Sequence, residues 1–213
     1  MPSKEPVVFV VDDEAPIREA LGELLESHGL RALTFPSAGD YLAAEKVFNG
    51  PACLILDIEL PDINGLELQK EIAEGDHPPI VFVTGHGDIP SSVRAMKHGA
   101  VDFLTKPFSD GDLMRAIEAA LTQDEQRRAE RAERTAVEAR YGALTPRERE
   151  VLALVVSGLM NKQAASELGI SAVTLEVHRR HVMRKMGAAS LADLVRMAER
   201  LRIPITHSRR GEG

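Results

Sequence analysis

The stretch Cys53-Leu54-Ile55-Leu56-Asp57 decides the fold, because it is a short apolar run that ends in a carboxylate. Three other short apolar runs are likewise followed by polar side chains. The others are Val7–Val11 before Asp12 and Asp13, Ile80–Val83 before Thr84, and Val101–Leu104 before Thr105, Lys106 and Pro107. Longer segments with helical spacing separate such runs, a pattern typical of repeated βαβ units around a parallel sheet. Side chains just past the carboxyl ends of parallel strands meet in one crevice. Carboxylates, a hydroxyl and an ammonium are therefore expected to converge.

The alternation predicts five strands and five helices up to residue 121. The predicted strands are 7–11, 31–35, 53–57, 80–83 and 101–104. One helix is predicted between the first two strands, and further helices fit 37–47, 65–74, 90–98 and 110 onward. In the first helix Ile17, Leu21 and Leu24 recur at helical spacing, and Pro16 fits its first turn. We expect one complete doubly wound α/β domain.

The formal net charge of -7 conceals two domains of opposite sign. Residues 1–121 carry 9 Lys and Arg against 21 Asp and Glu, whereas residues 143–213 carry 12 against 7. An acidic part suits a cation site and a basic part suits an anionic polymer. Cys53 is the single cysteine, so no internal disulfide forms. No apolar run approaches the roughly 20 residues that cross a bilayer, and the chain begins without an apolar signal core, so we expect a cytoplasmic protein with no membrane partner.

Helix punctuation predicts that the segment after residue 143 is entirely helical. Thr145-Pro146-Arg147-Glu148 has capping-box order ahead of a helix that ends at Gly158. Asn161, Ser171 and Ser190 are caps for three more helices, and Gly169 and Gly187 are stops. The second and third of these helices form a helix-turn-helix candidate. Residues 122–142, rich in Gln, Arg, Glu and Ala, predict a solvent-exposed helical linker that continues the fifth helix.

The acidic residues at the strand ends suit phosphoryl chemistry. A hard divalent cation such as Mg²⁺ takes oxygen ligands, which Asp12, Asp13 and Asp57 offer. Asp57, alone after a central strand, is the best candidate for a carboxylate nucleophile. Lys106 and the Thr84 hydroxyl are suited to neutralise or hydrogen-bond the transferred group.

Residues 5–121 resemble the receiver domain of bacterial two-component response regulators. The motifs that carry the resemblance are Val-Asp-Asp-Glu (11–14), Leu-Asp-Ile-Glu-Leu-Pro-Asp-Ile-Asn-Gly (56–65), Thr-Gly-His-Gly (84–87) and Lys-Pro-Phe (106–108). The resemblance implies a flavodoxin-like strand order 2-1-3-4-5. It also implies that a sensor histidine kinase phosphorylates the domain, with Mg²⁺ or Mn²⁺ bound.

The same resemblance implies a role for each matching residue. Asp57 is the expected phosphoacceptor, Asp12 and Asp13 are the acidic metal pair, and the Glu59 backbone carbonyl is a third metal ligand. Thr84 is the expected switch hydroxyl, Lys106 the functional lysine and Phe103 the switch aromatic, which lacks a phenolic hydroxyl and must act by packing; an ordinary core role for Phe103 is equally open. Glu59 and His86 occupy variable positions beside the phosphorylation site, where we expect them to tune the lifetime of the phosphoaspartate.

The helix after Ser171 presents two different faces. Leu175, Val182 and Met186 form a stripe suited to core packing. A second face carries base-reading chemistry: Arg180 suits guanine, Glu176 suits cytosine and Val177 suits a thymine methyl group. Expected phosphate contacts, which position the protein without reading sequence, are Lys162, Thr174, Arg179, Arg184 and Lys185.

Residues 144–201 resemble the LuxR-type helix-turn-helix through Leu-Thr-Pro-Arg-Glu-Arg-Glu-Val-Leu (144–152), Gly-Leu-Met-Asn-Lys-Gln-Ala-Ala (158–165) and Thr-Leu-Glu-Val-His-Arg (174–179). A receiver followed by this module is the architecture of the NarL/FixJ group, here similar to its FixJ-like branch. The expected domains are a receiver (5–121), a helical linker (122–142), a four-helix DNA-binding domain (143–205) and a disordered tail (206–213). The resemblance implies homodimerisation on phosphorylation, binding to double-stranded promoter DNA and contact with RNA polymerase, with activation as the expected sign.

Two other function classes stay open at this stage. An aspartyl-phosphate phosphohydrolase is the enzyme alternative, although such enzymes commonly show Asp-x-Asp where this chain has Asp57-Ile58-Glu59. The other alternative is a receiver whose helical tail binds protein instead of DNA. The resemblance itself favours a regulator whose chemistry is limited to self-catalysed phosphorylation and dephosphorylation of Asp57.

Overall fold

The computed structural model describes residues 5–45, 48–85 and 87–204. Strands and helices alternate in the first part of the chain: β1 (Val7–Val11), α1 (Ala15–Ser27), β2 (Arg31–Phe35), α2 (Ala38–Ala43), β3 (Ala52–Asp57), α3 (Gly65–Ile72), β4 (Ile80–Thr84), α4 (Ile89–Lys97), β5 (Asp102–Thr105) and α5 (Asp110–Gly142). Four helices follow: α6 (Pro146–Val156), α7 (Asn161–Glu167), α8 (Ala172–Met186) and α9 (Leu191–Arg200).

The five strands form one parallel sheet in the order β2-β1-β3-β4-β5, which confirms the expected doubly wound topology. The observed strand ends differ from the predicted ones by at most one residue. The predicted helix over 37–47 is shorter, because α2 ends at Ala43, and residues 46–47 lie outside the described residues.

The sheet separates two apolar cores because successive side chains of a strand point to opposite faces. Phe9, Leu54 and Leu56 belong to the core on one face. Val10 and Ile55 belong to the other core, which α1 and α5 cover. Both faces are dry, so the central strands are continuous apolar runs, as parallel sheets require.

The chain forms two compact units whose boundary lies between Ala129 and Glu130, inside α5. In the second unit, the helix signals that the sequence predicts are present. Thr145 and Glu148 form the capping box, and Ser171 and Ser190 accept from backbone N–H groups at their helix starts. One cap differs, since Met160 is the residue before α7 and Asn161 is already helical. None of the helices in the described ranges combines the length and hydrophobicity needed to span a membrane.

Most residues of the linker helix, 122–142, are exposed, but two of them are buried. It continues α5 as expected, but the Asp124 carboxylate is buried, accepting from the Ala52 backbone N–H at 2.8 Å and the Arg128 Nε at 2.6 Å. Farther along, Val137 is buried in the core of the second unit, where Arg140 also donates to the Met186 carbonyl oxygen at 3.2 Å. The sequence does not reveal that Asp124 and Val137 are buried, because one carries a charge and the other is a single valine in a segment with few apolar residues.

Two glycines of the first unit give opposite expected effects on stability. A Cβ at Gly65 would overlap the Asp57 carbonyl oxygen and lie 3.0 Å from Ile58 Cα, and backbone atoms cannot move aside. We expect Gly65→Ala to lower the free energy of unfolding by about 1 to 3 kcal/mol or more. Gly22 lies inside α1 with nothing within 4 Å of a new Cβ, so Gly22→Ala should raise it by up to about 1 kcal/mol. Urea unfolding of both full-length variants checks the pair, and equal effects would contradict it.

Candidate functional site

Three carboxylates gather where the sheet's central strands end. Asp12 follows β1 and is inaccessible to solvent, Asp57 ends β3 with 4% of its surface exposed, and Asp13 is exposed. One oxygen from each of these residues lies within 4.8 Å of the others. We call these three residues the acidic cluster. The pairing of β1 directly with β3 brings them together, as the strand-end argument predicts.

The Lys106 ammonium bridges the buried members of the acidic cluster. Its Nζ donates to Asp12 Oδ2 and to Asp57 Oδ2, each at 2.7 Å, and lies 3.6 Å from a Glu14 carboxylate oxygen. The Lys106 backbone N–H donates to the Thr84 carbonyl oxygen at 2.8 Å, and this bond attaches the start of the loop after β5 to the end of β4. Burial alone lowers the pKa of the Lys106 ammonium, but the hydrogen bonds to both carboxylates outweigh it and raise the pKa.

Backbone N–H groups orient the remaining carboxylate oxygens. Glu14 N–H donates to Asp12 Oδ1 at 2.9 Å, and Glu59 N–H donates to Asp57 Oδ1 at 3.0 Å. Burial raises the pKa of the Asp57 carboxyl above its ordinary value, and the bonds from Lys106 and Glu59 offset only part of this effect. The Asp57 side chain is thus held by two donors while its local environment disfavours an unscreened charge. A bound cation would relieve that cost.

Thr84 and Phe103 lie on the neighbouring strands β4 and β5. Thr84 is fully buried and follows Val83, the register partner of Asp57. Phe103 on β5 is half-buried, with its ring centroid 6.3 Å from that of Phe82. A Cβ on Gly87 would overlap the Thr105 side chain and lie 3.3 Å from the Phe103 ring, so the chain after β4 passes close over this aromatic group. His86 lies outside the described residues.

The acidic cluster fits a hard divalent cation. Its donors are carboxylate oxygens, which Mg²⁺ and Mn²⁺ prefer, and the described residues gather no histidine or cysteine with them. The exposed Asp13 leaves one side of the site accessible to solvent and to a phosphate group. The residues therefore suit a metal that retains several waters and shares its remaining positions with substrate oxygens.

The second unit holds a helix-turn-helix in α7 and α8. Gly169 in the turn has φ +63, a left-handed conformation that glycine adopts without strain, and Ser171 caps α8. Leu175, Val182 and Met186 are buried as predicted. Six of the eight residues predicted to contact DNA are exposed: Lys162, Thr174, Glu176, Val177, Arg180 and Arg184.

The other two predicted DNA contacts have partners within the unit. Arg179 donates to Asn161 Oδ1 at 2.7 Å, which joins α8 to the start of α7. Lys185 donates to Glu148 Oε2 at 2.6 Å. Sequence spacing did not reveal these bonds, because they join positions far apart along the chain. Phosphate contact by these residues stays a prediction, and each already has a structural role.

Glu148 makes the stability of this unit depend on pH. It is almost inaccessible, accepts from Lys185 and from the Thr145 N–H at 2.8 Å, and faces His181 at 3.8 Å. The hydrogen bond from Lys185 is the largest of the effects that lower the pKa of Glu148 to about 2. The stabilisation by the Glu148 carboxylate is therefore present above about pH 5 and is lost as pH falls towards 2.

We expect Glu148→Gln to lower the free energy of unfolding of this unit at pH 7 by on the order of 2 to 3 kcal/mol. The difference from wild type should shrink as pH falls below 5. Hydrogen exchange of α6 amides in the full chain measures it. Glu150→Gln, at an exposed ion pair, is the control and should change stability by less than about 1 kcal/mol. A pH-independent difference would contradict the assignment.

Comparison with known proteins matches both units to families. Residues 8–118 match the model described as "Response regulator receiver domain", and residues 142–198 match "Bacterial regulatory proteins, luxR family". Nodulation protein W of Bradyrhizobium diazoefficiens is 46% identical over 207 residues, which cover 97% of this chain and 91% of that protein. The transcriptional regulatory protein FixJ of Azorhizobium caulinodans is 46% identical, with 93% of each chain covered.

A solved structure agrees with these matches. The structure of response regulator StyR is 46% identical, covers 92% of this chain and 98% of its own, and superposes with a TM-score of 0.81. Both units thus occur together, in the same order, in a solved relative. The chain belongs to the two-component response regulators of the NarL/FixJ type, in which a phosphorylation-controlled receiver domain regulates a LuxR-type DNA-binding domain.

Proposed function

We propose that Asp57 stores the signal as a phosphoryl group received from a sensor histidine kinase. The observation that carries this is the position of Asp57 Oδ2, 2.7 Å from Lys106 Nζ and within the acidic cluster. An Asp57 oxygen attacks the phosphorus of the kinase's phosphohistidine, the phosphorus–nitrogen bond breaks, and an acyl phosphate forms. Asp12, Asp13, Asp57 and the Glu59 carbonyl would hold a bound Mg²⁺, which would supply charge neutralisation for the phosphoryl oxygens.

Lys106 and Thr84 are the proposed readers of that group. Phosphorylation occupies the oxygen that Lys106 now contacts, so its ammonium gains phosphoryl oxygens as partners. We propose that the Thr84 hydroxyl hydrogen-bonds the same group and that its movement makes room for Phe103 to pack inward. Glu59 and His86 are proposed to set how fast water hydrolyses the acyl phosphate.

The proposed output is a homodimer that binds two half-sites of promoter DNA and contacts RNA polymerase to activate transcription. The basic balance of residues 143–213 and the exposed polar face of α8 support DNA as the partner. The comparisons favour neither alternative class, because relatives that match the whole chain are transcription regulators. The chain's chemistry is then confined to one phosphoryl group on its own aspartate.

The test uses the full chain, a small acyl-phosphate donor and Mg²⁺. We expect one added phosphoryl group by mass spectrometry, a shift from monomer to dimer by light scattering, and enrichment of related sequences from a random DNA pool. A chelator arm should block the first step, and with it the other two. In a parallel reaction a phosphate ester replaces the donor, and its steady turnover without a stable adduct would instead indicate a hydrolase. An adduct without DNA selection would favour the protein-interaction alternative.

A further inference from the structure

Two exposed valines on α8 have no role in the fold. Val173 exposes 73% of its surface and Val177 exposes 44%. Neither belongs to the core cluster of this unit, to which α8 contributes Leu175, Val182 and Met186. Valine is also a poorer helix former than alanine. Neither packing nor helix propensity explains two valines here, so their surface is free for a ligand.

The two valines share their face with arginines. Residues four apart in a helix are neighbours on its surface, and Val173, Val177, Arg180 and Arg184 fall within about 60° of one another around the α8 axis. Both arginines are exposed. The face therefore offers a narrow apolar stripe, Val173 and Val177, that continues into positive charge. We call Val173 and Val177 the valine stripe.

The surface that matches this combination is the DNA major groove. Its edges are lined by phosphates, which suit the arginines, and its floor carries one apolar group, the C5-methyl of thymine. Residues in the first turns of a recognition helix are those that reach the base edges. Val173 and Val177 lie in the first two turns of α8, after the Ser171 cap.

We propose that the valine stripe reads two thymine methyl groups in each operator half-site, with Val173 a specificity-determining residue in addition to Val177. This inference rests on DNA binding through α8. The two valines are separated by about 6 Å along the helix axis, from a rise of 1.5 Å per residue. Base pairs repeat every 3.4 Å or so, so the two thymines lie about one or two base pairs apart.

The experiment uses the phosphorylated full chain and an operator selected from random DNA. Each thymine of a half-site is replaced in turn by uracil, which removes only the methyl group, and affinity is measured at one fixed salt concentration. For wild type we expect losses of about 3- to 10-fold at two positions. Val173→Ala should become insensitive to uracil at one position, and Val177→Ala at the other.

Val173→Thr is the matched control, because threonine has nearly the same shape and retains one γ-methyl group. It should keep much of the uracil sensitivity that Val173→Ala loses. If the free-energy losses caused by Val173→Ala and by each uracil substitution were additive at every position, Val173 would contact no thymine methyl group. That result would overturn the inference while leaving DNA binding intact. So would unchanged affinity with reduced transcription, which would place the stripe against a protein. Absence of any DNA selection by wild type would contradict the DNA-binding function itself.

Discussion

Asp57→Asn is expected to reduce phosphorylation by small donors by at least about 100-fold, since an amide is a far weaker nucleophile than a carboxylate. The substitution retains an oxygen that can accept from the Glu59 N–H, so the loop after β3 keeps its anchor. It removes the charge that Lys106 contacts at 2.7 Å. Dimer formation and the donor-dependent gain in DNA affinity should be lost together.

Asp110→Asn is the control, since Asp110 is an exposed carboxylate in the first turn of α5 and is not a member of the acidic cluster. It should accept phosphate and gain DNA affinity like wild type. Intact mass after donor treatment and light scattering measure both variants. A phosphorylated Asp57→Asn protein that still gained DNA affinity would remove Asp57 from the role of phosphoacceptor. If Asp57→Asn stayed unphosphorylated but still dimerised fully when the donor was added, dimerisation would not depend on phosphorylation of Asp57.

The sheet and the site were predictable because their determinants are local. An apolar run marks a strand, and the residue at the end of the run must lie at the sheet edge. The positions of Asp12, Asp57 and Thr84 therefore follow directly from the limits of the runs. The caps Ser171 and Ser190 act on N–H groups three residues away, so they too are visible in sequence. Neighbour order in the sheet is not local, and the resemblance to a family supplied it.

What sequence reasoning missed depends on contacts between distant positions. Asp124 is buried because it meets the backbone of Ala52, 72 residues away along the chain. In the sequence Lys185 has the features of a free phosphate-binding lysine, but in the structure Glu148 of α6 lies beside it. Exposure is also a tertiary property, so the pattern of α8 predicts a thymine contact at Val177 but does not reveal how open Val173 is. Charge and hydropathy patterns identify a helix face, while its neighbours determine which side chains remain available.

Arg180→Ala should have the largest effect of any substitution on α8 upon sequence discrimination. Its guanidinium is exposed, and its one ion pair among the described residues is a loose contact with Glu176 at 3.8 Å, so little interaction with that part of the protein opposes its use on DNA. A bidentate arginine–guanine contact accounts for about 1 to 3 kcal/mol, which predicts a loss of roughly 5- to 150-fold on the selected operator. Binding to unrelated DNA should change much less, and the preference at one base pair should disappear from sequences selected by the variant.

Lys162→Ala provides the contrast, because Lys162 is exposed at the start of α7 and is predicted to meet phosphate. Its loss should weaken operator and unrelated DNA by similar factors and reduce the slope of log affinity against log salt by about 1, without changing base preference. Competition binding at several salt concentrations, followed by selection from random DNA with each phosphorylated variant, distinguishes the two residues. Unaltered base preference in Arg180→Ala would mean that Arg180 only positions the helix. Sequence reading would then depend on the valine stripe and Glu176, because these are the other exposed side chains on that face of α8 suited to base contact.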